Sequence, residues 1–317
     1  MRVLVNDLWS SGAKTGIGHY TAQLMQAMRR QAVGDQIESF PGPWLTAAHG
    51  LGRRMRSALQ REAKGKTGPS PHGWRAWCVR QARSLGRGVL TLHLRFRGAG
   101  CDLYHEPNNI PLATDLPTVA TVHDLSVLLH PEWHPADRVA EYEARFREGL
   151  GRCRHFLAIS EFARQELIRK LGLRPDRVTR TYMGVRPGLG PAPEAEVQAT
   201  LQRLGLPPRY FLYLGTIEPR KNVMTLLRAY VKLPAAVRER CPLLLAGGWG
   251  WSSADVAAFL DAEARHRGVI WSGYLPEEHV AAVMNGARAL VYPSLYEGFG
   301  MPPVEMLACG GAVLCST

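Results

Sequence analysis

Residues 210–222 read Tyr210-Phe211-Leu212-Tyr213-Leu214-Gly215-Thr216-Ile217-Glu218-Pro219-Arg220-Lys221-Asn222. A short, unbroken apolar run stops at a glycine and gives way to a polar turn. Beyond the turn, Val223, Leu226, Leu227 and Tyr230 recur at helical spacing. An apolar run of this length, closed by a turn and followed by a 3.6-period stretch, is a strand buried on both faces leading into a helix. The same alternation continues downstream, with strands expected at 243–246, 269–271, 289–292 and 312–315. Helices are expected near 222–232, 254–267, 277–285 and 303–308. The first half repeats it, with strands at 2–6, 102–105, 118–123, 156–160 and 178–185. Helices there are expected at 17–30, 136–152 and from an N-cap at Ser160 to Leu171. Repeated βα units in both halves predict an α/β chain with two parallel, helix-covered sheets.

At 317 residues the chain is long enough for two domains. The Pro- and Gly-rich stretch from Arg186 to Pro193 marks the boundary. The expected division is 1–187, with a basic insertion at about 41–100 read as irregular, then a linker at 188–208 and a second domain at 209–317. Short basic amphipathic helices are expected around 74–85. Hydrophobic residues at 46% and charged residues at 21% fit a soluble globular chain. No apolar run approaches the ~18 residues of a membrane span, and the start lacks the features of a signal peptide. A cytoplasmic location is therefore expected. The six cysteines form no C-x-x-C pair and read as reduced thiols.

The net charge of +12 is concentrated: residues 53–97 hold twelve basic side chains and one acidic one, Glu62. Trp74, Trp77 and Phe96 lie among them. Basic and aromatic residues together suit an anionic membrane surface, while a solvated loop accounts for them equally well. No nucleic-acid motif accompanies the charge, so no nucleic-acid partner is expected.

In parallel sheets ligands sit at the carboxyl ends of the strands, which singles out three loops. The loop after the first strand carries Gly16-Ile17-Gly18, but neither a dinucleotide fingerprint nor a phosphate loop. It serves a ligand or is simply a tight turn. The loop holding Arg220 and Lys221 sets two cations at a helix start, where positive charge is unfavourable for the helix. Such a pair either clamps a diphosphate leaving group or is a solvated charge pair borne at a cost to the helix. The loop from Pro293 to Glu305 holds Glu297 and Glu305 with Gly298 and Gly300 between them. Glu305 is expected in the first turn of a helix, where it either binds ligand or complements the helix dipole. Glu297 is either a ligand group or an exposed loop acid. Paired carboxylates also occur in glycoside hydrolases, but hydrolysis gives no reason for the adjacent cations. No Asp-x-Asp occurs, so a metal-held diphosphate is not expected.

Taken together, the Gly215–Asn222 segment and the Glu297-x7-Glu305 segment resemble glycosyltransferase family 4, retaining enzymes of the GT-B fold. Thr15-Gly16-Ile17-Gly18-His19-Tyr20 is similar to that family's first-domain glycine loop. Val122-His123-Asp124-Leu125 and His130-Pro131-Glu132-Trp133 are similar to the stretch after a central first-domain strand. The resemblance implies two Rossmann-like domains facing across a cleft. It implies that Arg220 and Lys221 neutralise the donor diphosphate, that Glu305 binds the donor ribose, and that Glu297 with the backbone of Phe299, Gly300 and Met301 holds the transferred sugar. Gly16 and Gly18 would let the first domain close on the donor, and His123 would reach the donor sugar or act as a base, the alternative being a core histidine at a strand end.

The implied activity is hexosyl transfer, mannose favoured, from a nucleotide-sugar such as GDP-mannose to a glycan or lipid-linked acceptor. No cofactor or metal is implied. Surface polysaccharide or glycolipid assembly is the setting, on the inner face of a membrane. Family members continue beyond the strand at 312–315 with further helices, so the second domain is expected to be incomplete. The alternatives are a non-catalytic remnant that binds nucleotide-sugar weakly, or a nucleotide-sugar-modifying Rossmann enzyme.

Overall fold

The computed structural model describes residues 1–8, 10, 16–42 and 88–316. The helices expected around 74–85, and Thr15 of the glycine loop, lie outside the described residues. The chain divides into two compact units, Met1–Asp124 with Tyr142–Tyr182, and Leu125–Glu141 with Met183–Thr317.

The first unit is built on six parallel strands: β1 (Arg2–Asn6), β2 (Gln36–Phe40), β3 (Leu103–Glu106), β4 (Thr118–Val122), β5 (Cys153–Ala158) and β6 (Val178–Arg180), in the order β2-β1-β3-β4-β5-β6. Successive side chains of β1 serve opposite faces, as the strand period requires. Leu4 joins Phe40, Leu94, Tyr104 and Leu112 in one core. Val3 and Val5 pack with Met25 of helix α1 (Gly16–Gln31) in another.

Two elements here depart from the sequence expectation. Strand β2 was not foreseen, because an edge strand carrying Gln36, Glu38 and Ser39 has only Ile37 and Phe40 to announce it. Residues 88–98, expected to be irregular, form a helix, α2. Its inner side sends Leu90 and Leu94 into the core. On its outer side Val89, Leu92 and Phe96 are exposed at i, i+3 and i+7. After α3 (Ser126–Leu129) and α4 (Ala136–Arg152), helix α5 (Glu161–Leu171) starts as expected, with the Ser160 hydroxyl accepting from the Ala163 N–H at 3.0 Å.

The second unit has five parallel strands: β7 (Tyr210–Leu214), β8 (Leu243–Ala246), β9 (Val269–Gly273), β10 (Ala287–Tyr292) and β11 (Val313–Cys315), in the order β11-β10-β7-β8-β9. Tyr210, Leu212, Leu244, Ala246 and Leu290 face one core. Tyr213, Leu243 and Leu245 face the other. Burial on both faces is why these strands read as unbroken apolar runs rather than alternating ones. Helix α6 (Glu194–Arg203) lies inside the stretch expected to be a linker and buries Val197 and Leu201 against the first core.

The strand order sets the place of the site. After β7 the chain runs to β8 and β9 on one side, then returns to β10 and β11 on the other. The loops leaving β7 and β10 therefore part in opposite directions at neighbouring carboxyl ends, the point in an open parallel sheet where a ligand crevice forms. The first unit has the same switch between β1 and β3. Beside β7, backbones approach very closely. A Cβ added to Gly247, whose φ is +150°, would lie 1.9 Å from the Gly215 carbonyl oxygen. Only glycine fits there.

Candidate functional site

The two loops at the β7/β10 switch point carry the expected charges. Pro219–Lys221 forms a 3-10 turn, and Asn222 follows in the left-handed region at φ +56° before helix α7 (Val223–Val231) begins. Asparagine tolerates that conformation better than most residues. Its side-chain amide donates to the Pro293 carbonyl at 3.1 Å, and the Leu295 N–H donates to the Arg220 carbonyl at 2.8 Å. These two bonds pin the loop after β7 to the loop after β10. The cations thus precede α7 by one tight turn rather than sitting on its first residues.

Arg220 and Lys221 converge on Glu297. Arg220 Nη1 donates to Glu297 Oε2 at 3.0 Å and to the Tyr296 carbonyl at 3.1 Å. Lys221 Nζ donates to Glu297 Oε1 and, at 2.7 Å, to the Tyr292 hydroxyl. That hydroxyl donates in turn to Glu297 Oε1 at 2.9 Å. On its other edge Arg220 Nε meets Glu218 Oε1 at 2.7 Å. Burial pushes the Glu297 carboxyl upward, but Lys221 and then Arg220 outweigh it and hold it below its ordinary value. Burial and the neighbouring Arg220 charge push the Lys221 ammonium down, against the pull of Glu297. The arrangement is a half-buried anion site with two cations and a hydroxyl aimed at one point, filled by the chain's own carboxylate.

Glu305 sits differently from expectation. After α8 (Ala235–Arg240), α9 (Ala254–Phe259) and α10 (Glu277–Gly286), helix α11 runs Met301–Ala308, which puts Glu305 beyond the first turn, where the helix dipole no longer favours an acid. Its carboxylate is buried and takes both oxygens' hydrogen bonds from Arg186, at 2.6 Å from Nε and 2.9 Å from Nη2. Between the two glutamates, Phe299 is half-buried and Gly300 holds φ +86° as it enters α11 at Met301.

Tyr296 carries a further set of contacts. Its hydroxyl accepts from the Leu125 N–H at 3.1 Å, and His130 lies edge-on to its ring at 5.3 Å. His130 also stacks on Trp133 at 4.0 Å. The His130–Trp133 stretch therefore braces the residue next to Glu297.

In the first unit, Gly16 and Gly18 occupy the first turn of α1; Gly18 is buried, and Gly16 has open space where a Cβ would stand. His123 follows β4. Its Nε2 lies 2.7 Å from the Pro107 carbonyl. A carbonyl only accepts, so Nε2 carries the proton and Nδ1 the lone pair. Burial holds the ring below its ordinary value and so keeps it neutral. Tyr20 packs edge-on against it at 4.9 Å. Next to it on β3, His105 is pushed down to about 4, by burial first and by His123 second.

Among the expected residues, Arg220, Lys221 and Glu297 form one cluster, and Glu305 forms a second with Arg186. Glu218, Tyr292, Tyr296 and Arg186 were not foreseen. Glu218 and Tyr296 stand in the quoted loops and Tyr292 ends a strand, so proximity in sequence was an available signal for these three. Arg186 had none.

Two family descriptions match the chain: Glycosyltransferase Family 4 over residues 15–189 and Glycosyl transferases group 1 over residues 200–317. The O-antigen chain mannosyltransferase B of Escherichia coli is 35% identical over 309 residues, covering 95% of this chain and 78% of that protein. The chain belongs to glycosyltransferase family 4. It is a glycosyltransferase, and its two Rossmann-like sheets make the GT-B fold. The serotype-specific mannosyltransferase WbdA of E. coli is 32% identical over 204 residues, which is 63% of this chain and 25% of that protein. Among solved structures, Anabaena HepE in complex with UDP and glucose superposes with a TM-score of 0.66 at 17% identity, covering 99% of this chain and 80% of that one. Among the described residues, no helix is long and apolar enough to cross a membrane.

Proposed function

We propose that this glycosyltransferase moves mannose from GDP-mannose, with retention, to a glycan or lipid-linked acceptor in the assembly of a surface polysaccharide. The observation that carries the reading is the convergence of Arg220 Nη1 and Lys221 Nζ on one half-buried anion point at the β7/β10 switch. In the donor complex the diphosphate takes over these cations and Glu297 turns to the transferred sugar, together with the backbone of Phe299, Gly300 and Met301. Cations in a site shielded from water are worth most where charge develops, here on the departing diphosphate.

The bond from the sugar's C1 to the diphosphate oxygen breaks, and the acceptor hydroxyl bonds to C1 on the same face. The acceptor proton passes to the leaving phosphate oxygen. His123, neutral, with Nδ1 holding a lone pair, accepts from a hydroxyl of the transferred sugar. Glu305 accepts from the donor ribose, and Gly16 and Gly18 let the first unit's backbone approach the donor. The two cations do the work of a divalent metal, so turnover needs none. The mannosyltransferase relatives favour mannose. The basic stretch at 53–97 and the exposed stripe on α2 favour a place at the inner face of a membrane.

The test is a panel of radiolabelled GDP-mannose, UDP-glucose and UDP-galactose with a lipid-linked glycan acceptor, run with and without EDTA. The product's anomeric configuration is read by NMR. Transfer from GDP-mannose alone, EDTA-insensitive and with an α-linked product, is expected. A preferred UDP-sugar, or a β-linked product, refutes the assignment.

A further inference from the structure

Arg186 lies outside every strand and helix of the second unit, in the Pro- and Gly-rich stretch that precedes α6. Its guanidinium nevertheless grips Glu305 through two parallel hydrogen bonds, at 2.6 and 2.9 Å. Both side chains are largely shielded, at 16% and 5% exposure.

Stability is a poor explanation for this pair. Removing two ions from water costs about as much as their attraction returns, and apolar replacements of similar volume are often as stable or more so. Nor does the helix dipole reward an acid beyond the first turn of α11. Orientation is a better explanation. A carboxylate has about four lone-pair positions, and the fork of Arg186 uses two of them. One position on each oxygen remains, in a plane fixed by the fork, which suits two neighbouring hydroxyls. Arg186 also lines a cavity of about 460 Å³ with Pro187, Gly188, Leu189, Glu277 and Ala281. That is enough for a small ligand such as a nucleoside.

We propose that Arg186 is a positioning residue for donor binding. It holds the Glu305 carboxylate in plane to accept the 2′ and 3′ hydroxyls of the donor's ribose, with the nucleoside in the adjoining cavity. This rests on the reading of Glu305 as the ribose ligand. A merely structural Arg186 would affect all nucleotides alike; a positioning one acts only on nucleotides that bear the two hydroxyls.

The test is calorimetric binding of GDP and of 2′,3′-dideoxy-GDP to the wild-type chain and to Arg186→Gln, Arg186→Lys and Glu305→Gln. The wild type should prefer GDP. Arg186→Gln should lose about tenfold for GDP, the worth of one charge-assisted hydrogen bond, and lose nothing for the dideoxy compound. Arg186→Lys should recover part of the loss, since an ammonium keeps the charge without the fork. Glu305→Gln should remove the preference. Equal weakening of both nucleotides by Arg186→Gln, or no weakening of either, overturns the proposal. If Arg186→Gln does not fold, a loss confined to GDP in Arg186→Lys decides in favour and an equal loss for both decides against. A wild type that binds both nucleotides equally overturns the Glu305 reading and this one with it. A preference retained in full by Arg186→Gln overturns only the role of Arg186.

Discussion

Replacing Lys221 with methionine keeps the side chain unbranched and only one atom shorter, and removes its charge. Lys221 Nζ touches Glu297 and the Tyr292 hydroxyl and is 8% exposed, so little solvent is available to take its place. Stranding a buried charge usually costs about 3–5 kcal/mol of stability. Here Glu297 keeps Arg220 at 3.0 Å and Tyr292 at 2.9 Å, so the loss should be nearer 1–2 kcal/mol, the scale of one charge-assisted bond. Turnover should suffer more. Taking one of two cations from a departing diphosphate removes a preorganised contact worth roughly 3 kcal/mol in the transition state, or about a hundredfold or more in kcat. Initial rates of mannosyl transfer over a range of donor concentrations separate kcat from KM, and a thermal melt reports folding. A folded K221M whose kcat stays within about threefold of wild type would refute the anion-clamp reasoning, because the loss would then be no larger than an ordinary surface contact.

Other consequences are equally direct. His105 has a folded value near 4 against an ordinary 6.5, so between those pH values the unfolded chain binds a proton that the folded chain refuses. Its contribution is complete above pH 6.5 and falls away towards pH 4, by about 3 kcal/mol. His105→Asn should flatten that part of the stability curve in urea titrations at pH 7 and 4.5; an unchanged slope would count against it. Gly247→Ala drives a methyl into the Gly215 carbonyl oxygen and should cost upwards of about 3 kcal/mol in the same assay, and a cost below about 1 kcal/mol would show that the two loops yield easily. Sedimentation with phosphatidylglycerol vesicles should be salt-sensitive, absent with phosphatidylcholine, and weakened when Val89, Leu92 and Phe96 become serine. Equal binding to both vesicle types would remove the membrane from the account.

The parts of the fold that were legible share a physical cause. Strands such as Tyr210–Leu214 and Leu243–Ala246 lie buried on both faces, and burial leaves a continuous apolar signature that local sequence displays. Strand Gln36–Phe40 lies at a sheet edge with less to bury, so its composition looks like a loop. Helix 88–98 hides because its apolar residues stand on both sides, Leu90 and Leu94 inward and Val89, Leu92 and Phe96 outward, so the sequence shows no single helical stripe. The cations at 220 and 221 and the acid at 297 were legible since each follows a recognisable strand. That β7 and β10 are neighbours was not, because strand order is decided by packing between elements far apart in sequence. The same distance conceals Arg186, whose partner is 119 residues away.

Two hydrogen bonds, from Asn222 to Pro293 and from Leu295 to Arg220, tie the β7 and β10 loops to each other within a single unit. The spacing between cations and carboxylate is thus inherited from one sheet and is insensitive to any rigid displacement of the other. A substitution that shifts either loop therefore shifts the cations and the carboxylate together.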